Sequence, residues 1–189
     1  MLILLKNVKI TDPQSPHNGL VKDILVENGI IKKIGKNIAS PKEKTEIVDL
    51  KSYTASPGFV DIFSNFCDPG YEQNETLESG SNAAAHGGYT RVFILPETNP
   101  VTDKKTSVEY IVEKSKNLPV HVQPLGAVSK NTEGKDLAEM YDMYKSGAIA
   151  FTDGNKPLQS AGLLVKGLEY IKAIDATIIQ VPVDKSIAT

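Results

Sequence analysis

One cysteine, Cys67, in 189 residues excludes an intramolecular disulfide framework. Arginine is almost absent too. Arg91 stands alone beside 20 lysines, and a surface gripping many phosphates through guanidinium forks would carry more. The net charge of -2 gives no general attraction to nucleic acid or acidic membrane. No stretch reaches the ~18 apolar residues needed to span a bilayer. Met1 to Lys9 has neither a basic n-region nor a small-residue cleavage site, so the Asn74-Glu75-Thr76 sequon carries little meaning. The expectation is a cytoplasmic protein with no nucleic-acid or membrane partner. Composition, at 40% hydrophobic and 23% charged, is that of a globular chain able to bury a core.

Standard catalytic signatures are missing as well. No G-x-G-x-x-G follows a strand, and Gly134-Lys135 runs into Asp136 rather than completing a phosphate loop. The three histidines, His17, His86 and His121, share no ligand spacing. His86 reads as a helix-end residue, and His121 as a core or rim histidine. No Ser-His-Asp or Cys-His pair is legible.

What is present is a change of rhythm near Pro57. Before it the chain reads as β: Leu2–Ile10, Val21–Glu27, Ile30–Ile34 and Glu46–Leu50. Asn28-Gly29 joins the second and third runs, a strong hairpin signal because a type I′ turn needs positive φ at both central residues. After Pro57 the pattern alternates. Strands are expected at Phe59–Asn65, Arg91–Leu95, Val120–Val128, Ala148–Thr152 and Thr177–Val183. Helices are expected at Glu75–His86, behind a capping box at Thr106-Ser107-Val108-Glu109, along the stripe Leu137, Met140, Tyr141 and Tyr144, and at Ser160–Ile174 with Leu164, Leu168 and Ile171 inward. Five strands and four helices in alternation argue for an α/β fold with a parallel sheet, either an open doubly wound sheet or part of a (β/α)8 barrel. A whole barrel takes ~250 residues. Only 133 follow Ser56, so any barrel here is unfinished.

Ligands of parallel α/β folds sit at the C-terminal strand ends. Those ends carry Asn65-Phe66-Cys67-Asp68-Pro69-Gly70, Pro96-Glu97-Thr98-Asn99-Pro100, Ser129-Lys130-Asn131-Thr132, Thr152-Asp153-Gly154-Asn155 and Asp184-Lys185. Plain βα turns use the same residue types.

The first of these loops is informative. Pro57-Gly58-Phe59-Val60-Asp61 with Asp68-Pro69-Gly70 resembles the dihydroorotase pattern PG-x-x-D-x-H-x-H-x-R-[DE]-PG. Glu75-Thr76-Leu77-Glu78-Ser79-Gly80, Ala83-Ala84-Ala85 and Gly87-Gly88-Tyr89-Thr90 resemble that family's first helix and the start of its second strand. Leu95-Pro96-Glu97-Thr98-Asn99-Pro100 is similar to its MPNT-x-P loop, and Phe151-Thr152-Asp153-Gly154 to its F-[ST]-D-DG turn. The resemblance implies an amidohydrolase-superfamily (β/α)8 TIM barrel, here incomplete, over residues 56–189, preceded by a small β-sandwich segment over residues 1–55. It also implies an activity, the reversible cyclisation of N-carbamoyl-L-aspartate to L-dihydroorotate in pyrimidine biosynthesis, usually with zinc. The metal would polarise the amide carbonyl and acidify a bound water. Two imidazoles at i, i+2 on one strand point the same way and make a metal half-site.

The match departs from the pattern where that chemistry would sit. The H-x-H positions are Phe63 and Asn65, the substrate-gripping Arg is Cys67, and the Asn of MPNT-x-P is Glu97. Val181-Pro182-Val183-Asp184 stands where the family has H-x-E-D. Asp61 and Asp153 are the acidic groups that remain. The expected site rim is therefore Asp61, Phe63, Asn65, Cys67, Glu97, Asn99 and Asp153, with no catalytic residue assigned. No cofactor is expected in this chain, Asp153 being a ligand only if a degenerate site exists. Cys67 has no histidine at a matching rim position to activate it and reads as an inert thiol. Two readings follow. One is a cyclic amidohydrolase with impaired or metal-free catalysis. The other is a non-catalytic subunit that binds a partner, with aspartate carbamoyltransferase the first to test and a homo-oligomer the alternative assembly; the substitutions favour it. Family members run to about twice this length, as a barrel plus sandwich requires. The chain is accordingly expected to be a fragment, or a half that needs a partner to cover its open sheet edge.

Overall fold

The computed structural model describes residues 1–41, 44–185 and 187. They divide into two compact units, Met1–Pro57 and Gly58–Thr189. No helix among them is long and apolar enough to cross a membrane.

The first unit holds β1 (Leu2–Ile10), β2 (Val21–Glu27), β3 (Ile30–Gly35), β4 (Glu46–Asp49) and β5 (Thr54–Ala55). The β2–β3 turn is the one expected: Asn28 and Gly29 have φ of 50° and 79°, the left-handed values a type I′ turn needs. Both β4 and β5 pair in parallel with β1, giving the order β3-β2-β1-β4 with β5 beside β1. The expected sandwich is thus, among the described residues, a single five-stranded sheet. After the hairpin the chain returns to the free edge of β1, where β4 and β5 pair. One face of the sheet buries Val8, Ile10 and Ile24.

The second unit alternates strand and helix: β6 (Phe59–Ser64), α1 (Leu77–His86), β7 (Tyr89–Ile94), α2 (Lys105–Lys114), β8 (His121–Pro124), α3 (Met140–Lys145) and α4 (Ala161–Ile171). The sheet β6-β7-β8 is all parallel. The expected strands at 148–152 and 177–183 are reduced to isolated parallel bridges, Gly126 to Phe151 and Phe151 to Ile178. Backbone bonds still carry the ladder across them. Thr152 N–H donates to Gly126 O at 2.9 Å, and Ile179 N–H to Phe151 O at 2.8 Å. Five parallel positions are therefore occupied, but only three are long enough to count as strands.

Side-chain caps start α1 and α4, whereas α2 and α3 begin without one. Thr76 caps α1 by accepting from Ser79 N–H, and Ser79 returns the bond to Thr76 N–H. His86 Nδ1 donates to Asn82 O at 2.7 Å in the last turn. The capping box expected at Thr106 does not form, because α2 begins earlier, at Lys105, behind an uncapped Lys104. In α3 the buried residues are Met140 and Met143. Tyr141 and Tyr144 of the expected stripe are exposed, and Leu137 precedes the helix. Gly167 and Ile171 face inward from α4, while Leu168 is exposed. The cores are Val108, Val128, Met140, Met143 and Phe151 in one cluster, and Leu77, Val92, Ile94, Ile111 and Val122 in another.

Candidate functional site

The loops following β6, β7, β8 and the Phe151 bridge gather at one end of the sheet, tied to each other by backbone and side-chain bonds. Asn99 N–H donates to Pro69 O at 2.9 Å, which joins the first loop to the second. Gly70, at φ 101°, lies so close that a Cβ there would sit 2.2 Å from Asn99 O. Only glycine meets both demands. The second and fourth loops join through Asn155 Nδ2, which donates to Glu97 Oε2 at 2.8 Å. Gly154 packs against the same carboxylate.

The first loop is anchored from beneath. Asp68 is fully buried and accepts from Leu77 N–H at 3.1 Å, from Tyr110 Oη at 3.1 Å and from Lys114 Nζ at 2.8 Å. Burial opposes its charge, yet the bonds from Lys114, Leu77 and Tyr110 outweigh that penalty and hold its pKa below the ordinary value. Lys114 is raised in turn, chiefly by its bond to Asp68. This network fixes the loop to α1 and α2.

Asp61, Phe63, Asn65 and Glu97 are each engaged locally. Asp61 is half-buried; its carboxylate accepts from Phe63 N–H at 2.9 Å and from Ser64 Oγ at 2.7 Å. Phe63 packs on the apolar cluster of Leu95, Leu125 and Ala150. Asn65 is exposed and its Oδ1 accepts from Cys67 N–H at 3.1 Å, a bond that closes a local turn. Cys67 is a half-buried free thiol at φ 61°. Glu97 is half-buried and held by Asn155, and Asn99 is exposed.

Asp153 is the most committed. It is 1% exposed, and its Oδ1 accepts from Val128 N–H and Ser129 N–H, both at 2.9 Å. Its Oδ2 accepts from Ser129 Oγ. Burial is the larger influence and raises its pKa, although the Ser129 and Val128 bonds and the charge of Lys156 oppose it. Ser129 Oγ also accepts from Gly134 N–H at 2.8 Å, so Asp153 organises the third loop from the fourth. The sequence gives no sign of this, since partners 24 or more positions apart leave no local pattern. Ser129 and the Tyr110–Lys114 pair are the residues that sequence reasoning missed; the i, i+4 spacing of the latter on α2 was the available signal.

Structurally, then, the rim brings Glu97, Asn155 and the Asp153 turn together, with Asn99 of the second loop bonded to Pro69 of the first. It does not bring Asp61, Cys67 and Asp153 into one cluster. Among the described residues no three of His, Cys, Asp and Glu converge to hold a metal ion.

Comparison with known proteins places these features in a family. A family model described as "Dihydro-orotase-like" matches residues 54–188. The dihydroorotase of Syntrophus aciditrophicus is 44% identical over 180 residues, covering 95% of this chain and 42% of the relative. That of Aquifex aeolicus is 40% identical over 177 residues, covering 93% of this chain and 41% of the relative. The chain thus spans about two-fifths of the length of these curated relatives. Among solved structures, an L-hydantoinase (dihydropyrimidinase) from Arthrobacter aurescens superposes with a TM-score of 0.77 at 23% identity, covering 98% of this chain and 41% of that one. A crystal structure of a dihydroorotase gives 0.65 at 13% identity, covering 94% and 50%. At such identities the likeness shows the fold alone, an α/β arrangement shared with these two structures.

Proposed function

Because this chain belongs to the dihydroorotase-like family, we propose that it is a dihydroorotase-type scaffold of pyrimidine biosynthesis that has lost metal-dependent hydrolysis of the cyclic amide and serves as a non-catalytic subunit. The observation that carries this is what fills the positions of the family's paired imidazoles. Phe63 contributes its ring to the Leu95, Leu125 and Ala150 cluster, and Asn65 spends its carbonyl oxygen on Cys67 N–H. A hydrocarbon ring supplies no lone pair to a metal, and an amide oxygen is a weak neutral ligand.

Asp153 supports the same reading. Its carboxylate is engaged by three donors of the Val128–Ser129 segment, so ligation would strip buried N–H groups of their acceptor. The described residues do not fit zinc, which when bound would supply an acidified water and a polarised carbonyl. On the substrate side, Glu97 places a carboxylate where a dianionic substrate would approach. Cys67, in place of a guanidinium, offers that substrate no fork.

Such a scaffold would serve by association, and aspartate carbamoyltransferase is the partner we propose, with a self-assembled oligomer as the second arrangement. The test is metal analysis of the purified full chain after growth in zinc, alongside a dihydroorotate turnover assay and light scattering with and without aspartate carbamoyltransferase from the same source. Zinc well below one equivalent, absent turnover and a defined complex are expected. Stoichiometric zinc with turnover would overturn the loss of catalysis. Failure to form the complex would overturn the partner.

A further inference from the structure

We propose that the end of the sheet remote from the site loops carries a binding cleft for a small phosphate-bearing anion, an inference independent of whether catalysis is lost. Arg91 lies near the start of β7 and His121 begins β8, and the two are register partners in the parallel pair. They line a cleft of about 320 Å³ together with Ser115, Lys116 and Gln123. Among the described residues the cleft wall contains two permanent cations and no carboxylate. Lys116 is paired with Glu113, which lies outside the wall.

Three observations point to an anionic occupant. The only arginine of the chain sits here, and Gln123 Oε1 accepts from its Nη1 at 2.7 Å, which orients the guanidinium while engaging one of its five N–H groups. Ser115 is 9% exposed, and its Oγ has no hydrogen-bond partner among the described residues. A buried hydroxyl left unpaired is costly; the Oγ is closed off from solvent, so an oxyanion in the cleft would satisfy it once the wall shifts to admit the bond. Finally, the wall offers donors of distinct geometry: a planar fork, an imidazole, an ammonium and a hydroxyl. Phosphate, with three or more acceptor oxygens, can use more of these than a carboxylate can.

The probe is inorganic phosphate, titrated by calorimetry into the full chain while the His121 imidazole resonances are followed by NMR. Saturable binding with movement of the His121 signals is expected. Arg91→Gln should weaken binding by about tenfold or more through loss of the charged fork. Arg91→Lys should fall between, because it keeps the charge but not the fork. Arg91 is exposed, so these variants should keep the wild-type melting temperature. Ser115→Ala should also weaken binding. No saturable binding, or Arg91→Gln binding as wild type does, would overturn the site. Acetate binding as tightly as phosphate at equal ionic strength would overturn the phosphate assignment.

Discussion

Asp153 offers the sharpest separation of a structural from a chemical role. Replacing it with Ala removes the acceptor of two buried backbone donors, Val128 N–H and Ser129 N–H, and of Ser129 Oγ. An unsatisfied buried donor costs about 1–3 kcal/mol, so Asp153→Ala should lose about 3 kcal/mol after partial relaxation. At this size that is a fall in Tm on the order of 10 °C. Asp153→Asn should behave differently. Its Oδ1 can keep both N–H bonds and its Nδ2 can donate to Ser129 Oγ, so the loss should stay within about 1 kcal/mol. The pH dependence separates them further. Burial raises the Asp153 pKa, so its ionised form is the less stable one in the fold. Wild type should therefore lose stability relative to Asp153→Asn as pH rises from the unfolded carboxylate value of about 3.9 through the raised folded value. Urea denaturation followed by far-UV circular dichroism across pH 3 to 8 measures this directly, and the chain has no Trp to follow instead. If Asp153→Asn costs as much as Asp153→Ala, or if either strips stoichiometric zinc from the wild-type protein, the reasoning is refuted.

Further outcomes follow from the same contacts. Asp68→Ala leaves Leu77 N–H, Tyr110 Oη and Lys114 without their acceptor and should cost about 3 kcal/mol; Lys114→Met, at a side chain 41% exposed, should cost about 1 kcal/mol in the same urea assay. With the Asp68 pKa held low, the stability it contributes is complete above about pH 4 and is lost as pH falls through its folded value; Lys114→Met should flatten that acid limb. Gly70→Ala adds a Cβ 2.2 Å from Asn99 O at a φ of 101° and should cost about 3 kcal/mol, read as a lower Tm and faster proteolysis in the first two loops. Phe63→His places a polar ring on the Leu95, Leu125 and Ala150 cluster and should cost about 2 kcal/mol; a neutral outcome would show that the cluster does not depend on it.

Local chemistry was readable where one or two residues decide a conformation. Asn28-Gly29 fixed the hairpin because few other pairs accept two positive φ values; α1 was expected from Glu75 and begins at Leu77, behind the Thr76 cap. Patterns that depend on distant neighbours were less legible. Thr106-Ser107-Val108-Glu109 has the residues of a capping box, but the helix starts two positions earlier, behind Lys104, with Val108 and Ile111 in the core. The Tyr141–Tyr144 spacing looked like a buried stripe, yet at i, i+3 the pair Met140 and Met143 fills the space beside Phe151, and the tyrosines are left to solvent. The apolar runs at 148–152 and 177–183 predicted strands. Only Phe151 and Ile178 make bridges there, since an apolar run is needed for a buried strand but does not supply repeated backbone pairing.

At the site, the family motif residues that this chain shares and those it lacks differ in physical kind. Asp68 anchors two helices through one carboxylate, Gly70 admits the second loop at van der Waals distance, and Asp153 ties the third loop to the fourth. Each would be required by the fold in a protein that catalyses nothing, so their presence is no argument for hydrolysis. Phe63, Asn65, Cys67 and Glu97 stand where the resemblance puts ligands and substrate contacts. None of the four carries the imidazole, guanidinium or neutral amide that the resemblance puts there. Phe63 has instead become part of the packing, and Glu97 part of the loop clamp through Asn155. Restoring a single imidazole would therefore meet an occupied core rather than an empty ligand position. This is why the proposed loss of catalysis rests on the whole set of contacts and not on any one substitution.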